Sequence, residues 1–213
     1  MLEGVGQVRL VDVPDPVIER PSDALVKVSL AGVCGSDLWP FRGQEPFTPG
    51  DRMGHEWIGV VEEVGADVTR VRAGDLVLAP FAFADGTCRP CREGLFTSCP
   101  DGGFWGGRHD GGQAEAVRVP FADGTLVPVR AEADSAPLHR LLPLTDVMAT
   151  GAHAVFLADV RPGSTVVVVG DGAVGLCAVL AARRARAGRI ILLGRHPDRS
   201  DLATSGTPSP RPP

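Results

Sequence analysis

The chain has 213 residues, of which 44% are hydrophobic and 22% charged, with a formal net charge of -5. That length accommodates one large or two small domains with ample core, and the composition is that of an ordinary soluble globular protein. The negative balance offers no footing for nucleic acid or an anionic membrane, and no basic n-region with an apolar h-region opens the sequence, so a cytoplasmic location is expected.

Residues 5–30 read as β structure. Gln7-Val8-Arg9-Leu10-Val11-Asp12-Val13 alternates, Pro14 and Pro16 break it, and Ala24-Leu25-Val26-Lys27-Val28-Ser29-Leu30 resumes it. Short strands are predicted at 57–64, 75–79 and 114–119, each bounded by Gly, Pro or Asp, which is the pattern of a compact, barrel-like β domain. Residues 81–113 form a long loop bearing Gly and Cys, and a loop of that length implies a function or a metal that holds it.

Near residue 140 the texture changes. Residues 144–158 read as helix, and Thr165–Val169 is a continuous apolar strand suited to a buried parallel sheet. Gly170-Asp171-Gly172-Ala173-Val174-Gly175 follows, then a helix over about 174–187 and a second strand, Arg189–Leu193, making one βαβ unit. Val166–Ala182 approaches a membrane-spanning length, but Asp171 and the glycines inside it favour strand, turn and helix. The expected domains are 1–143, with a lobe at about 81–113, and 144–199, followed by a Ser/Pro/Arg-rich tail at 200–213 read as disordered.

Three sets of residues carry chemistry. Cys34-Gly35-Ser36-Asp37 and Gly54-His55-Glu56 bring a thiolate, an imidazole and carboxylates within possible reach of one ion, and zinc takes that mixture of donors. Gly54 permits a tight turn before His55. Taken singly, a cysteine is more often a small buried hydrophobe and a His-Glu pair more often surface chemistry. A second group, Cys88, Cys91 and Cys99, lies within the long loop, where such spacing without a secretory signal favours metal over disulfides. The third is Gly170-x-Gly172-x-x-Gly175, which ends an apolar strand and opens a helix as a dinucleotide loop requires; a glycine-rich turn without a ligand is the plainer alternative.

Gly54-His55-Glu56-x2-Gly59-x5-Gly65-x2-Val68, preceded by Cys34-Gly35-Ser36-Asp37, resembles the zinc-dependent alcohol dehydrogenases of the medium-chain dehydrogenase/reductase superfamily, over roughly residues 1–199. The resemblance implies a GroES-like barrel followed by an incomplete Rossmann domain, an α/β chain with a doubly wound parallel sheet. It implies Cys34, His55 and Asp146 as ligands of a catalytic zinc, with Glu56 as a close or exchanging ligand. For Asp146 the bland alternative is a helix-surface carboxylate. Ser36 matches the hydroxyl that passes the alcohol proton, and Asp37 would orient a zinc-bound imidazole. Many relatives carry a relay histidine where this chain has Trp39, so the relay must end elsewhere or Trp39 walls the pocket. The family's structural zinc uses four cysteines; here Asp85 stands at the first position before Cys88, Cys91 and Cys99, leaving a Cys3Asp site or a metal-free lobe.

The resemblance also implies a nicotinamide cofactor on Gly170, Asp171, Gly172, Ala173, Val174 and Gly175. The position that reads the ribose is Gly194, followed by Arg195. A small residue makes room for a 2′-phosphate and a guanidinium can bind it, so NADP is expected over NAD. The implied reaction is hydride transfer between an alcohol, or its aldehyde or ketone, and NAD(P). A six-strand doubly wound domain needs on the order of 150 residues at about 30 per βα unit, so the chain is expected to be C-terminally truncated. The rival expectation is therefore a catalytically silent zinc-binding fragment; a zinc-free quinone or enoyl reductase is disfavoured by Cys34, His55 and the 88–99 cluster. Relatives form homo-oligomers, an arrangement doubtful for this chain. Cys177 reads as core packing, and His109, His139 and His196 as exposed.

Overall fold

The computed structural model describes residues 1–129 and 138–204. The chain divides into two compact units, Met1–Asp146 and Val147–Pro213, a few residues later than the boundary expected from the sequence texture, so Asp146 belongs with the first unit.

In the first unit a small hairpin, β1 (Leu2–Gly4) and β2 (Gln7–Val8), precedes a five-stranded antiparallel sheet. That sheet contains β3 (Ala24–Ala31), β4 (Trp57–Val64), β5 (Leu76–Ala79), β8 (Ala116–Val119) and β9 (Val127–Pro128), in the order β8-β3-β4-β5-β9. A second short pair, β6 (Ala82–Phe83) with β7 (Gly103–Phe104), ties down the long loop between them. Short helices fill the connections: α1 (Leu38–Phe41), α2 (Arg89–Arg92), α3 (Ala122–Thr125) and α4 (Leu138–Leu141). Alternation along β3 and β4 turns Val26, Trp57 and Val61 into a core with Phe83, Trp105, Val117 and Val119. Trp57 and Trp105 meet edge to face at 5.4 Å, and the Trp105 indole N–H donates to the Pro80 carbonyl at 2.7 Å.

One predicted strand is cut short. Only Gln7–Val8 of the alternating run 7–13 forms strand; Arg9 adds one backbone exchange with Met1, and Leu10 is 97% exposed. Alternation supplies a face but not a neighbouring edge, and Pro14 and Pro16 remove donors from the segment that follows.

Among the described residues, the second unit is one βαβ element with a helix before it and another after it. Helix α5 (Val147–Leu157) packs on α6 (Ala173–Arg184) through Val155, Ala178, Ala181 and Ala182, and α6 links the parallel strands β10 (Thr165–Val169) and β11 (Arg189–Leu193). Small alanines on α6 allow the helices to approach. Strand and helix replace the apparent membrane span, and among the described residues no helix is long and apolar enough to cross a membrane. The expected burial of β10 is not found: Val167 is 54% and Val169 80% exposed, because the two strands have helix on one side and few neighbours besides. The helix expected at 144–158 starts later, since Leu142–Thr145 is a 3-10 turn and Asp146, at φ −147° and ψ −75°, interrupts it. Residues 200–204, expected in the tail, belong to α7 (Pro197–Thr204); the rest of that tail lies outside the described residues.

Candidate metal and nucleotide sites

The first cluster is assembled by three turns. Cys34 follows β3 and caps the 3-10 turn Gly35–Asp37; its N–H donates to Asp37 Oδ2 at 2.8 Å. Gly54, at φ +97°, reverses the chain just before β4, and any Cβ there would lie 2.6 Å from the Gln113 nitrogen. His55 and Glu56 follow directly. Thr145 is buried, its hydroxyl bound to the Leu142 carbonyl at 2.7 Å and its own carbonyl accepting the Phe81 N–H, which anchors the neighbouring Asp146.

These turns bring Cys34, His55, Glu56 and Asp146 together, with one donor atom from each lying within 4.8 Å of all the others. His55 Nε2 is 3.5 Å from Asp146 Oδ2, and Cys34 Sγ is 3.9 Å from the same oxygen. On the far side of the ring, His55 Nδ1 lies 3.4 Å from Asp37 Oδ1. Asp37 thus joins the cysteine loop to the histidine loop, and its carboxylate favours the tautomer that leaves Nε2 free for a ligand. Ser36 Oγ is 3.5 Å from His55 Nε2, and Trp39 is half exposed.

The electrostatics are those of a cation centre. Hydrogen bonding to Asp146 and then Asp37 pushes the His55 imidazole up to about 11 against the opposing effect of burial. Burial, followed by the nearby charge of Asp146, raises the Glu56 carboxyl. Glu56 is almost wholly buried, and its Oε1 has no hydrogen-bond partner. An orphaned buried carboxylate oxygen, a thiol and an imidazole aimed at one point fit a zinc ion, which would pair them all. Gly32 admits Glu56: a Cβ there would sit 2.6 Å from Oε2. Gly32 was not foreseen, although a glycine two residues before a candidate ligand is the signal that could have found it.

The second cluster is Asp85, Cys88, Cys91 and Cys99, again with donor atoms within 4.8 Å of one another. Asp85 Oδ1 accepts the Cys88 N–H at 2.8 Å and the Thr87 N–H, which holds its carboxyl well below the usual carboxylate range. Its other oxygen, Oδ2, faces Cys99 Sγ at 3.3 Å. Burial pushes the Cys91 thiol up to about 12. A thiol so reluctant to ionise needs a cation before it can serve as a thiolate, and the set Cys3Asp can bind zinc. None of the five cysteines is in a disulfide.

In the second unit Gly170, at φ +108°, turns the chain out of β10, and Gly172 caps α6, whose first turn contains Ala173, Val174 and Gly175. A Cβ on Gly175 would collide with the Gly170 carbonyl oxygen, while Gly172 has open space where a Cβ would be. That open, glycine-floored helix start fits a pyrophosphate. Asp171 is placed differently from its neighbours. It is buried, and its Oδ2 accepts the backbone N–H of Arg195 at 2.9 Å and of His196 at 2.7 Å. His196 Nδ1 lies 3.0 Å from both carboxylate oxygens. The His196 imidazole first, then these N–H groups, hold the Asp171 carboxyl well below its usual range. His196, expected to be exposed, is half buried and engaged with Asp171. Gly194 and the exposed Arg195 follow β11 at the same corner.

Residues 20–131 match the family described as the alcohol dehydrogenase GroES-like domain. The chain belongs to this family. Among curated relatives of this GroES-like protein, the uncharacterized zinc-type alcohol dehydrogenase-like protein AdhB of Bacillus subtilis is 40% identical over 189 residues, covering 83% of this chain and 50% of the relative. Among solved structures, the alcohol dehydrogenase TADH from Thermus sp. ATN1 superposes with a TM-score of 0.89 at 38% identity, over 95% of this chain and 59% of that one. A zinc-binding dehydrogenase from Sinorhizobium meliloti, solved bound to NADP, gives 0.79 at 34% identity, over 96% and 58%. The chain spans about half the length of the curated relatives it matches.

Proposed function

We propose that the chain serves zinc-dependent transfer of a hydride between an alcohol, or its aldehyde or ketone, and NAD(P). The observation that carries this reading is the convergence of Cys34, His55, Glu56 and Asp146 within one coordination sphere. Cys34 Sγ, His55 Nε2 and Asp146 would hold the ion, with the buried Glu56 as a close or exchanging ligand. Zinc bound there supplies a Lewis acid that polarises an alcohol or carbonyl oxygen. The remaining work falls to side chains around it. Asp37 holds the Nδ1 face of His55 and so fixes the ring. The Ser36 hydroxyl, within 3.5 Å of that ring, is the group set to take or return the alcohol proton. The half-exposed Trp39 presents an aromatic wall where relatives have a relay histidine.

Asp85, Cys88, Cys91 and Cys99 form, in the same reading, a second zinc site that staples the 81–113 loop. Metal analysis should then return two ions per chain; one ion that disappears with Cys34→Ser refutes the second site. For the cofactor, NADP is favoured over NAD. Support comes from the absence of an acid at Gly194, the adjacent Arg195, and the NADP bound to the Sinorhizobium meliloti relative. The substrate is a small molecule, and five cysteines outside any disulfide suit a reducing cytoplasm.

A second reading, zinc binding without turnover, is favoured by the two-strand extent of the nucleotide unit among the described residues. Incubating the purified chain with zinc, NADPH and a panel of aldehydes and ketones separates the two. Oxidation of NADPH that is lost in Cys34→Ser and His55→Ala supports the enzyme. Two bound zinc ions with no cofactor binding support the silent protein.

A further inference from the structure

Asp171 contradicts the local chemistry of the loop that carries it. A free carboxylate between Gly170 and Gly172 would repel a pyrophosphate at the start of α6. Its charge is instead committed elsewhere, to the Arg195 and His196 N–H groups and to the His196 imidazole. This pairing follows from topology. β10 and β11 are parallel neighbours, with Val169 opposite Leu193, so the residues just beyond their ends meet.

The same carboxylate explains Gly194. A Cβ at position 194 would lie 2.6 Å from Asp171 Cβ and Oδ2 and 2.8 Å from Cγ. Position 194 is therefore closed to every other side chain for as long as Asp171 is present. An acid at the end of the second strand is the group that bonds a ribose 2′-hydroxyl, so Asp171 excludes that mode of recognition sterically. It also pins the backbone of two consecutive residues, Arg195 and His196, that can each meet a phosphate oxygen.

We propose that Asp171 is a positioning residue that sets discrimination at the ribose 2′-position, by closing position 194 to an acidic side chain and by holding Arg195 and His196 to face a 2′-phosphate monoester. This rests on the dinucleotide reading of the glycine loop. Calorimetric titration of the full chain with adenosine 2′,5′-bisphosphate and with 5′-AMP tests it without requiring turnover. The wild type should bind the bisphosphate more tightly. Asp171→Asn, which keeps the shape and loses the charge, should reduce the ratio of the two affinities about tenfold, as should Arg195→Ala. The double variant D171G/G194D should reverse the preference toward 5′-AMP, whereas G194D alone, with Asp171 still in place, should fold poorly or bind neither ligand. A general loss of structure would weaken both ligands together and leave the ratio unmoved. A ratio within about twofold of wild type in both D171N and D171G/G194D overturns the proposal. Failure of the wild type to bind either ligand overturns it together with the nucleotide reading. A wild type that prefers 5′-AMP, with the ratio still falling in D171N, refutes the NADP preference alone and leaves the role of Asp171 standing.

Discussion

The two units of this chain use apolar residues in opposite ways. In the first, the sheet closes over Val26, Trp57, Ile58 and Val61, all at most 1% exposed, and the two candidate ligand clusters hang from turns that this core immobilises. In the second, an equally apolar strand, Thr165–Val169, forms on schedule yet leaves Val167 and Val169 more than half exposed. Sheet formation and sheet burial are separate events. Backbone pairing needs only a neighbouring strand, whereas burial of both faces needs layers on both sides. The first unit thus holds two clusters of potential ligands on a rigid core, and the second presents a loop and a helix start.

Trp57→Ala puts the largest strain on that contrast. It should cost the first unit about 3–5 kcal/mol, read as a shift in the urea midpoint, while the second unit's hydrogen-exchange protection stays unchanged; equal losses in both units would break the comparison. Metal removal comes next. Stripping zinc with a chelator should destabilise the first unit by roughly 3–4 kcal/mol at saturating metal, and Cys34→Ser and Cys91→Ser should each lower the zinc content by one ion in elemental analysis. A chelator that leaves the urea curve of the first unit unmoved denies the clusters a structural role.

In the second unit the expected effects are smaller and depend on pH. The folded-state pKa of Asp171 is lowered by His196 and the 195–196 amides, so the stability it contributes is complete above the unfolded carboxyl value of about 4 and is lost as pH falls through the folded value. The stability gap between wild type and Asp171→Asn should accordingly close as the solution is made more acidic than about pH 4. A gap that widens on acidification reverses the assigned sign. The smallest effect is expected for Val169→Thr, within about 0.5 kcal/mol. A cost several times larger would mean that this strand face is covered in solution.

Legibility followed sequence distance. His55 and Glu56 stand out because they adjoin Gly54, whose turn is a local property. Asp146 could not be found that way: it lies 112 residues from Cys34, and only the family resemblance pointed to it. The positions of β3, β4, β5, β10 and β11 were readable from alternation or apolar runs, whereas the end of strand pairing soon after Val8 was not, since alternation does not reveal whether an edge is available. Asp171 was read with the glycines around it as part of a cofactor loop. Its contact with His196 arises only when two parallel strand ends come side by side, a fact of pairing rather than of composition.

The edge-to-face pair of Trp57 and Trp105 has a practical consequence. The chain has three tryptophans and no tyrosine, and the third is Trp39, so every strong near-ultraviolet chromophore belongs to the first unit. Trp57 sits two residues beyond His55, and Trp105 shares the long loop with Cys88, Cys91 and Cys99. Intrinsic fluorescence of this protein is therefore a reporter for one half of it. Emission should respond to zinc added to the protein and to melting of the first unit, which gives that unit an optical signature without any label.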